Sequence, residues 1–164
     1  MNRDHTLETE PISVVLIDDQ ALARQVIRRS IMSIPGVEVL GEAGSAASAI
    51  SMVNDLEPDV ALLDVRLGQD SGLEIARTLA SQALDTKILV FSAYDDERYV
   101  RAFLQVGARG YLVKDETPHQ LVNAICQVAH GWVVLSATVA SSFVKRMGLD
   151  LAADHQRGIV TSKL

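Results

Sequence analysis

The sequence predicts a doubly wound α/β fold built on a five-stranded parallel sheet, and three observations carry that reading. Five short apolar runs alternate with five segments of helical periodicity. The runs are almost continuously apolar, the pattern of strands covered by helices on both faces. Ionisable and hydroxyl residues stand just past the ends of the first, third, fourth and fifth runs, at the sheet edge where such folds gather their ligands. A flavodoxin-like strand order, 2-1-3-4-5, is the natural arrangement for five such units.

Each element has a local reason. Residues 1–10 are polar and read as a disordered leader, ending at Pro11. Residues 12–17, ISVVLI, form the first strand. Residues 20–34 place Leu22, Val26, Ile27 and Ile31 at helical spacing, and Pro35-Gly36 stops that helix. The second strand covers 37–43, and an Ala-rich helix covers 45–56 before Pro58. Residues 60–63 form the third strand and run into Asp64. Gly68 and Gly72 bracket a loop, after which 73–84 is helical, with Leu73, Ala76, Leu79 and Ala80 on one face. Residues 87–91 give the fourth strand, and 97–106 the fourth helix, ended by Gly107. Residues 109–113 give the fifth strand. The fifth helix covers 118–130, with Pro118 in the first turn, where a missing N–H costs little.

This pattern spans residues 11–131; beyond it the pattern changes. Residues 132–135 are a brief apolar extension, 137–147 an extra C-terminal helix with Val139, Phe143 and Met147 spaced four apart, and 149–164 a tail without clear period. The segment 132–164 therefore reads as a linker helix and tail with no complete output domain.

Composition narrows the function. The chain has 164 residues, 48% of them hydrophobic, enough to bury a core. Its formal net charge of −6 argues against coating nucleic acid or an anionic membrane. A single cysteine, Cys126, excludes an internal disulfide and fits a reducing, cytoplasmic setting. The N-terminus has no apolar stretch of a signal peptide, and no run approaches the ~20 apolar residues that span a bilayer.

The polar residues at the strand ends are Asp18 and Asp19, Asp64, Ser92 and Lys114. Three carboxylates in one cleft repel, so either some are protonated or a cation joins them. Hard oxygen ligands with room for water suit Mg²⁺. Taken singly, Asp19 is as well explained as a helix N-cap, Asp64 as a turn former, Ser92 as a loop hydroxyl and Lys114 as half of a solvated pair with Asp115. Their coincidence at strand ends is what favours a common site.

At these residues the chain resembles the receiver domain of bacterial two-component response regulators. The matching pieces are VVLIDDQ, ALLDVRLGQDSGLE, ILVFSAYDD and GARGYLVKD; the last two, with GWVVLS, look most like the NarL/FixJ branch. The resemblance implies a CheY-like fold and a set of roles. Asp64 is then the phosphoacceptor for a phosphohistidine on a sensor histidine kinase. Asp18, Asp19, Asp64 and the backbone carbonyl of Arg66 hold Mg²⁺. Ser92 and Lys114 contact the phosphoryl oxygens, Ser92 and Tyr111 form a switch in which Tyr111 swings inward, and Gly68, Arg66 and Tyr94 flank the site. It also implies a switch rather than an enzyme, limited to its own phosphorylation and dephosphorylation. A homodimer is possible through helices four and five or one and five.

Two departures from the family pattern stand out. Gly68 follows Leu67 where the family usually has proline, which predicts a more flexible loop. The helix-turn-helix domain that usually follows is not readable after His130. The output is thus either a DNA-binding domain normally attached, giving transcription regulation, or a stand-alone receiver acting in a phosphorelay or as a protein-interaction switch. A Mg²⁺-dependent aspartyl-nucleophile phosphatase is disfavoured because its Asp-x-Asp after the first strand is missing. A flavin-binding reading fails on the acidic first loop, which repels phosphate.

Overall fold

The computed structural model describes residues 9–146 and 159–163. Most of the expected leader, and the expected end of the last helix at Met147, lie outside the described residues. The elements in order are β1 (Ile12–Ile17), α1 (Ala21–Met32), β2 (Val37–Ala43), α2 (Ala46–Leu56), β3 (Val60–Leu63), β4 (Arg66–Leu67), β5 (Asp70–Ser71), α3 (Gly72–Ala80), β6 (Lys87–Ser92), α4 (Glu97–Gln105), β7 (Gly110–Val113), α5 (Pro118–Ala129), β8 (Trp132–Ser136), α6 (Ala137–Arg146) and β9 (Ile159–Lys163).

The main sheet has the order β2-β1-β3-β6-β7-β8-β9. Its first five members reproduce the expected order 2-1-3-4-5, all in parallel. The sheet then continues further than expected. β8 pairs in parallel with β7 through Tyr111 opposite Leu135, and β9 closes antiparallel on β8. The apolar extension after α5 is therefore a strand. Gly131, at φ +91°, turns the chain out of α5 in a conformation that few other residues tolerate. The Trp-Val-Val-Leu run that follows is strongly β-forming.

Continuous apolar runs have a simple cause in this sheet. Successive side chains point to opposite faces, and both faces are buried. Val14 and Leu16 of β1, Val60 and Leu62 of β3, and Leu89 and Phe91 of β6 face a core closed by α1 and α5 through Ile31, Leu121 and Ile125. Val15 and Ile17, Ala61 and Leu63, and Ile88 and Val90 face the other core, closed by α2, α3, α4 and α6 through Val53, Ile75, Phe103 and Val139.

Helix boundaries follow local chemistry. Thr117 and Gln120 form a reciprocal capping box at the start of α5, with Pro118 in the first turn. Ser45 and Ser48 do the same for α2. On α1 only Ile27 and Ile31 are buried, while Leu22 and Val26 are 72% and 58% exposed. The apolar stripe expected for this helix is thus half outside. α3 ends at Ala80, earlier than expected, where the Ser81 hydroxyl donates to the Thr78 carbonyl and its N–H to Arg77. Its buried face uses Ile75 in place of the exposed Ala80.

The loop after β3 is a small hairpin, not a floppy segment. Arg66 pairs with Ser71, and Leu67 with Asp70. Gly68 turns it at φ +59°, which proline's ring forbids, so glycine here serves a specific turn. Gly72 then brings α3 against the backbone carrying Asp64. A Cβ at position 72 would lie 2.2 Å from the Asp64 carbonyl oxygen and 2.7 Å from that of Val65. Gly72→Ala is expected to cost about 1–3 kcal/mol by overpacking. Urea denaturation checks this; an unchanged midpoint would show that the hairpin yields freely.

Candidate functional site

The carboxyl ends of β1, β3, β6 and β7 bring Asp18, Asp64, Ser92 and Lys114 to one edge of the sheet. Lys114 is the link. Its Nζ lies 2.9 Å from Asp18 Oδ2 and 3.0 Å from Asp64 Oδ2, donating to both. The second oxygens are also engaged: Asp18 Oδ1 accepts from the Gln20 N–H at 2.9 Å, and Asp64 Oδ1 from the Val65 N–H at 2.6 Å. Asp18 is almost fully buried and Asp64 partly so, so neither carboxylate can rely on bulk water alone. Burial by itself would lower the proton affinity of Lys114, but the two carboxylates outweigh it and leave its pKa raised.

Asp19 has a different position. It is exposed on the rim, with Oδ2 facing Gly68, and it does not cap α1, whose N-cap residue Gln20 makes no side-chain cap bond. Of the three carboxylates expected at this edge, Asp18 and Asp64 meet on Lys114, and Asp19 borders the same cleft as Asp64 from its rim. Among the described residues no group of three or more acidic, histidine or cysteine side chains is arranged to cage a metal. Lysine, not proximity alone, holds Asp18 and Asp64. What remains is an open cleft of about 440 Å³ bordered by Asp19, Asp64, Arg66, Gly68, Tyr94 and Lys114. Its acidic donors are hard oxygens, with no soft ligand, and it has room for solvent. That donor set fits Mg²⁺, which is commonly held by one or two carboxylates and keeps several waters.

The rim of the cleft is built from groups on different elements. The Arg66 guanidinium stacks 4.9 Å from the Tyr94 ring centroid, and its Nη2 lies 3.4 Å from the Tyr99 hydroxyl. Tyr94 and Tyr99 are themselves 6.3 Å apart, centroid to centroid. Tyr99, in the first turn of α4, was not foreseen, because nothing in its sequence neighbourhood distinguishes it from a surface tyrosine.

Ser92 is fully buried, and its Oγ accepts from the Tyr94 N–H at 3.2 Å. Tyr111 lies inside the fold with no exposed surface. Its hydroxyl donates to the Tyr94 carbonyl at 2.5 Å, and its ring meets Phe103 edge-on at 6.1 Å. Burial pushes its hydroxyl pKa up. Ser136, also unforeseen, accepts from the Val113 N–H at 2.9 Å, beside Lys114.

A second cavity, about 420 Å³, lies between α1 and α5; Leu22, Val26, Phe91 and Leu121 line it, and it reaches Lys114. No helix among the described residues is long and apolar enough to cross a membrane.

Comparison with known proteins gives a consistent result. The sequence profile of the response regulator receiver domain matches residues 14–126. The chain is 38% identical over 127 residues to the nitrate/nitrite response regulator protein NarL of Escherichia coli, covering 77% of this chain and 59% of that protein. It is 35% identical over 138 residues to the transcriptional regulatory protein YxjL of Bacillus subtilis, covering 84% and 63% respectively. It thus spans about three fifths of the length of these relatives. Among solved structures, the signal receiver domain of NarL from Mycobacterium tuberculosis superposes with a TM-score of 0.72 at 37% identity, over 75% of this chain and 99% of that one.

The lysine bridge generates a pH signature. A folded Lys114 binds its proton more tightly than an unfolded lysine, so its stabilisation is complete below about 10.5 and is lost as pH rises through the raised folded value. Tyr111 adds a loss of the same sign. Lys114→Met is expected to lower stability by about 1–3 kcal/mol near neutrality, leaving two carboxylates without their donor. The gap between parent and variant should narrow at high pH in urea titrations; a constant gap would contradict the bridge.

Proposed function

We propose, for a chain that belongs to the response regulator receiver domain family, that Asp64 is the phosphoacceptor of a two-component switch. The observation that carries this reading is the Asp64 carboxylate at the end of β3, held by Lys114 beside Asp18 and open to a cleft. An Asp64 carboxylate oxygen attacks the phosphorus of a phosphohistidine on a sensor kinase. The new O–P bond forms as the P–N bond breaks, and the imidazole leaves with the electron pair.

Such transfer depends on positioning and on neutralising the phosphoryl charge. Lys114 supplies one fixed positive charge. Ser92, at the end of β6, donates its hydroxyl proton to a phosphoryl oxygen in this reading. Asp18, Asp19, Asp64 and the Arg66 carbonyl are the groups to hold Mg²⁺. When bound, the ion offsets the negative charge of the acids and the phosphoryl group. Arg66 and Tyr94 cover the rim, where they limit the approach of water to the acyl phosphate. The exposed Leu22 and Val26 beside Lys114 give a partner kinase an apolar surface next to the acceptor.

The output extends this reading. The relatives are response regulators or transcriptional regulatory proteins by name, and this chain covers about three fifths of their length. Regulation of transcription in the cytoplasm, by the whole protein after phosphorylation, follows from that kinship. Dimerisation of phosphorylated receivers is the natural way to transmit it.

Incubation with Mg²⁺ and acetyl phosphate, followed by intact mass, tests the reading. One phosphoryl adduct is expected on the parent and none on Asp64→Asn. Turnover of a phosphate ester without an adduct would support a phosphatase instead. Asp18→Asn is expected to abolish Mg²⁺-dependence of adduct formation. Tyr94→Ala, at a side chain 42% exposed, is expected to hasten loss of the adduct roughly fivefold, the rate equivalent of about 1 kcal/mol, with little change in unfolding midpoint. An unchanged adduct half-life would remove Tyr94 from the shield.

A further inference from the structure

We propose that α6 is a wedge that holds Tyr111 in its inward position and thereby couples the C-terminal segment to Asp64. The inference rests on the phosphoacceptor reading and goes beyond it.

Three observations converge. First, α6 packs on α4, β7 and β8, along the flank of the strand that carries Tyr111. Val139 is 2% exposed in the same core cluster as Tyr111 and Phe103, and Phe143 packs against that cluster. Second, both ends of the helix are anchored to the switch region. At its start, Ser136 accepts from the Val113 N–H, where the β7–β8 ladder, whose last pair is Tyr111 and Leu135, gives way to a side chain. At its end, Arg146 Nε lies 2.7 Å from Glu97 Oε2 on α4. The Glu97 side chain is only 12% exposed and also receives Arg101 at 3.2 Å, so this pair is less screened than an ordinary surface bridge. Third, the Tyr111 hydroxyl sits on the Tyr94 carbonyl, and the Tyr94 N–H sits on Ser92. Tyr111 thus shares one core with α6 and is joined by hydrogen bonds through Tyr94 to Ser92 at the end of β6.

The physical consequence is steric. β8 and α6 cover the flank of β7. An outward swing of the Tyr111 ring toward that flank meets the seated helix, so the inward position is favoured. The same inward position keeps the Tyr94 backbone, and through it Ser92, in place at the mouth of the site. By linkage the effect is reciprocal: phosphorylation that favours inward Tyr111 also tightens α6. Val139, Phe143 and Arg146 are positioning residues, acting on Asp64 through Tyr111.

The test combines substitution with hydrogen exchange on the full chain. Phe143→Ala is expected to slow phosphorylation by acetyl phosphate and Mg²⁺ roughly fivefold, the lower edge of typical coupling between sites. In a Tyr111→Ala background the same substitution is expected to have no further effect. Arg146→Ala, at a side chain 70% exposed, loosens the helix end without opening the core and is expected to act in the same direction, more weakly. In the parent, amides of residues 137–146 should exchange more slowly once intact mass shows the adduct. Equal slowing by Phe143→Ala in both backgrounds, no slowing in either, or exchange in α6 indifferent to the adduct would overturn the wedge and leave the phosphoacceptor reading standing. Failure of the parent to form any adduct would overturn both.

Discussion

The ammonium of Lys114, shared between the carboxylates of Asp18 and Asp64, is the interaction on which the site depends. Two acids so poorly exposed at the ends of neighbouring strands would otherwise repel, and each would have to be solvated or protonated. The lysine follows β7, three strands away from β1 in the sheet, so the bridge also ties the strand ends together across β3 and β6. It gives both acids a cationic partner while leaving the cleft open on the side of Asp19 and Arg66.

The path from that bridge to the rest of the molecule is short because the sheet puts consecutive strand ends side by side. β6 ends in Ser92, and β7 carries Tyr111 and runs into Lys114. This segment thus presents a charge to Asp64 and an aromatic ring to the core. Tyr94, two residues past Ser92, touches both systems: its N–H meets Ser92, its carbonyl meets Tyr111, and its ring lies under Arg66. The cleft rim and the buried tyrosine are therefore coupled through a single residue. The sixth βα unit, β8 and α6, lies on the flank where this coupling reaches the surface.

Much of this could be read from the residues alone. The strand runs, their order, and the set Asp18, Asp64, Ser92 and Lys114 follow from local rules. A strand covered on both faces must be apolar throughout, and a charged residue at its end must lie at the sheet's edge. Pro118, in the first turn, marked the start of α5 with equal clarity. Where the reading fell short, the cause was a contact between distant segments. Residues 132–135 were too short to declare themselves a strand until β7 was there to pair with. Leu22 and Val26 had helical spacing, yet the core had room for only Ile27 and Ile31.

The sequence by itself determined the α/β alternation, the identity of the residues at the strand ends and the family, because these depend on periodicity and on chemistry at fixed spacing along the chain. Only the tertiary structure decided which acids share the lysine, that Arg66 lies on Tyr94 and near Tyr99, that Gly68 makes a hairpin turn, and that α6 closes over the strand of Tyr111. Those are relations in space between residues far apart in the chain. Their distances are set by how helices seat on a twisted sheet, and no local pattern encodes that.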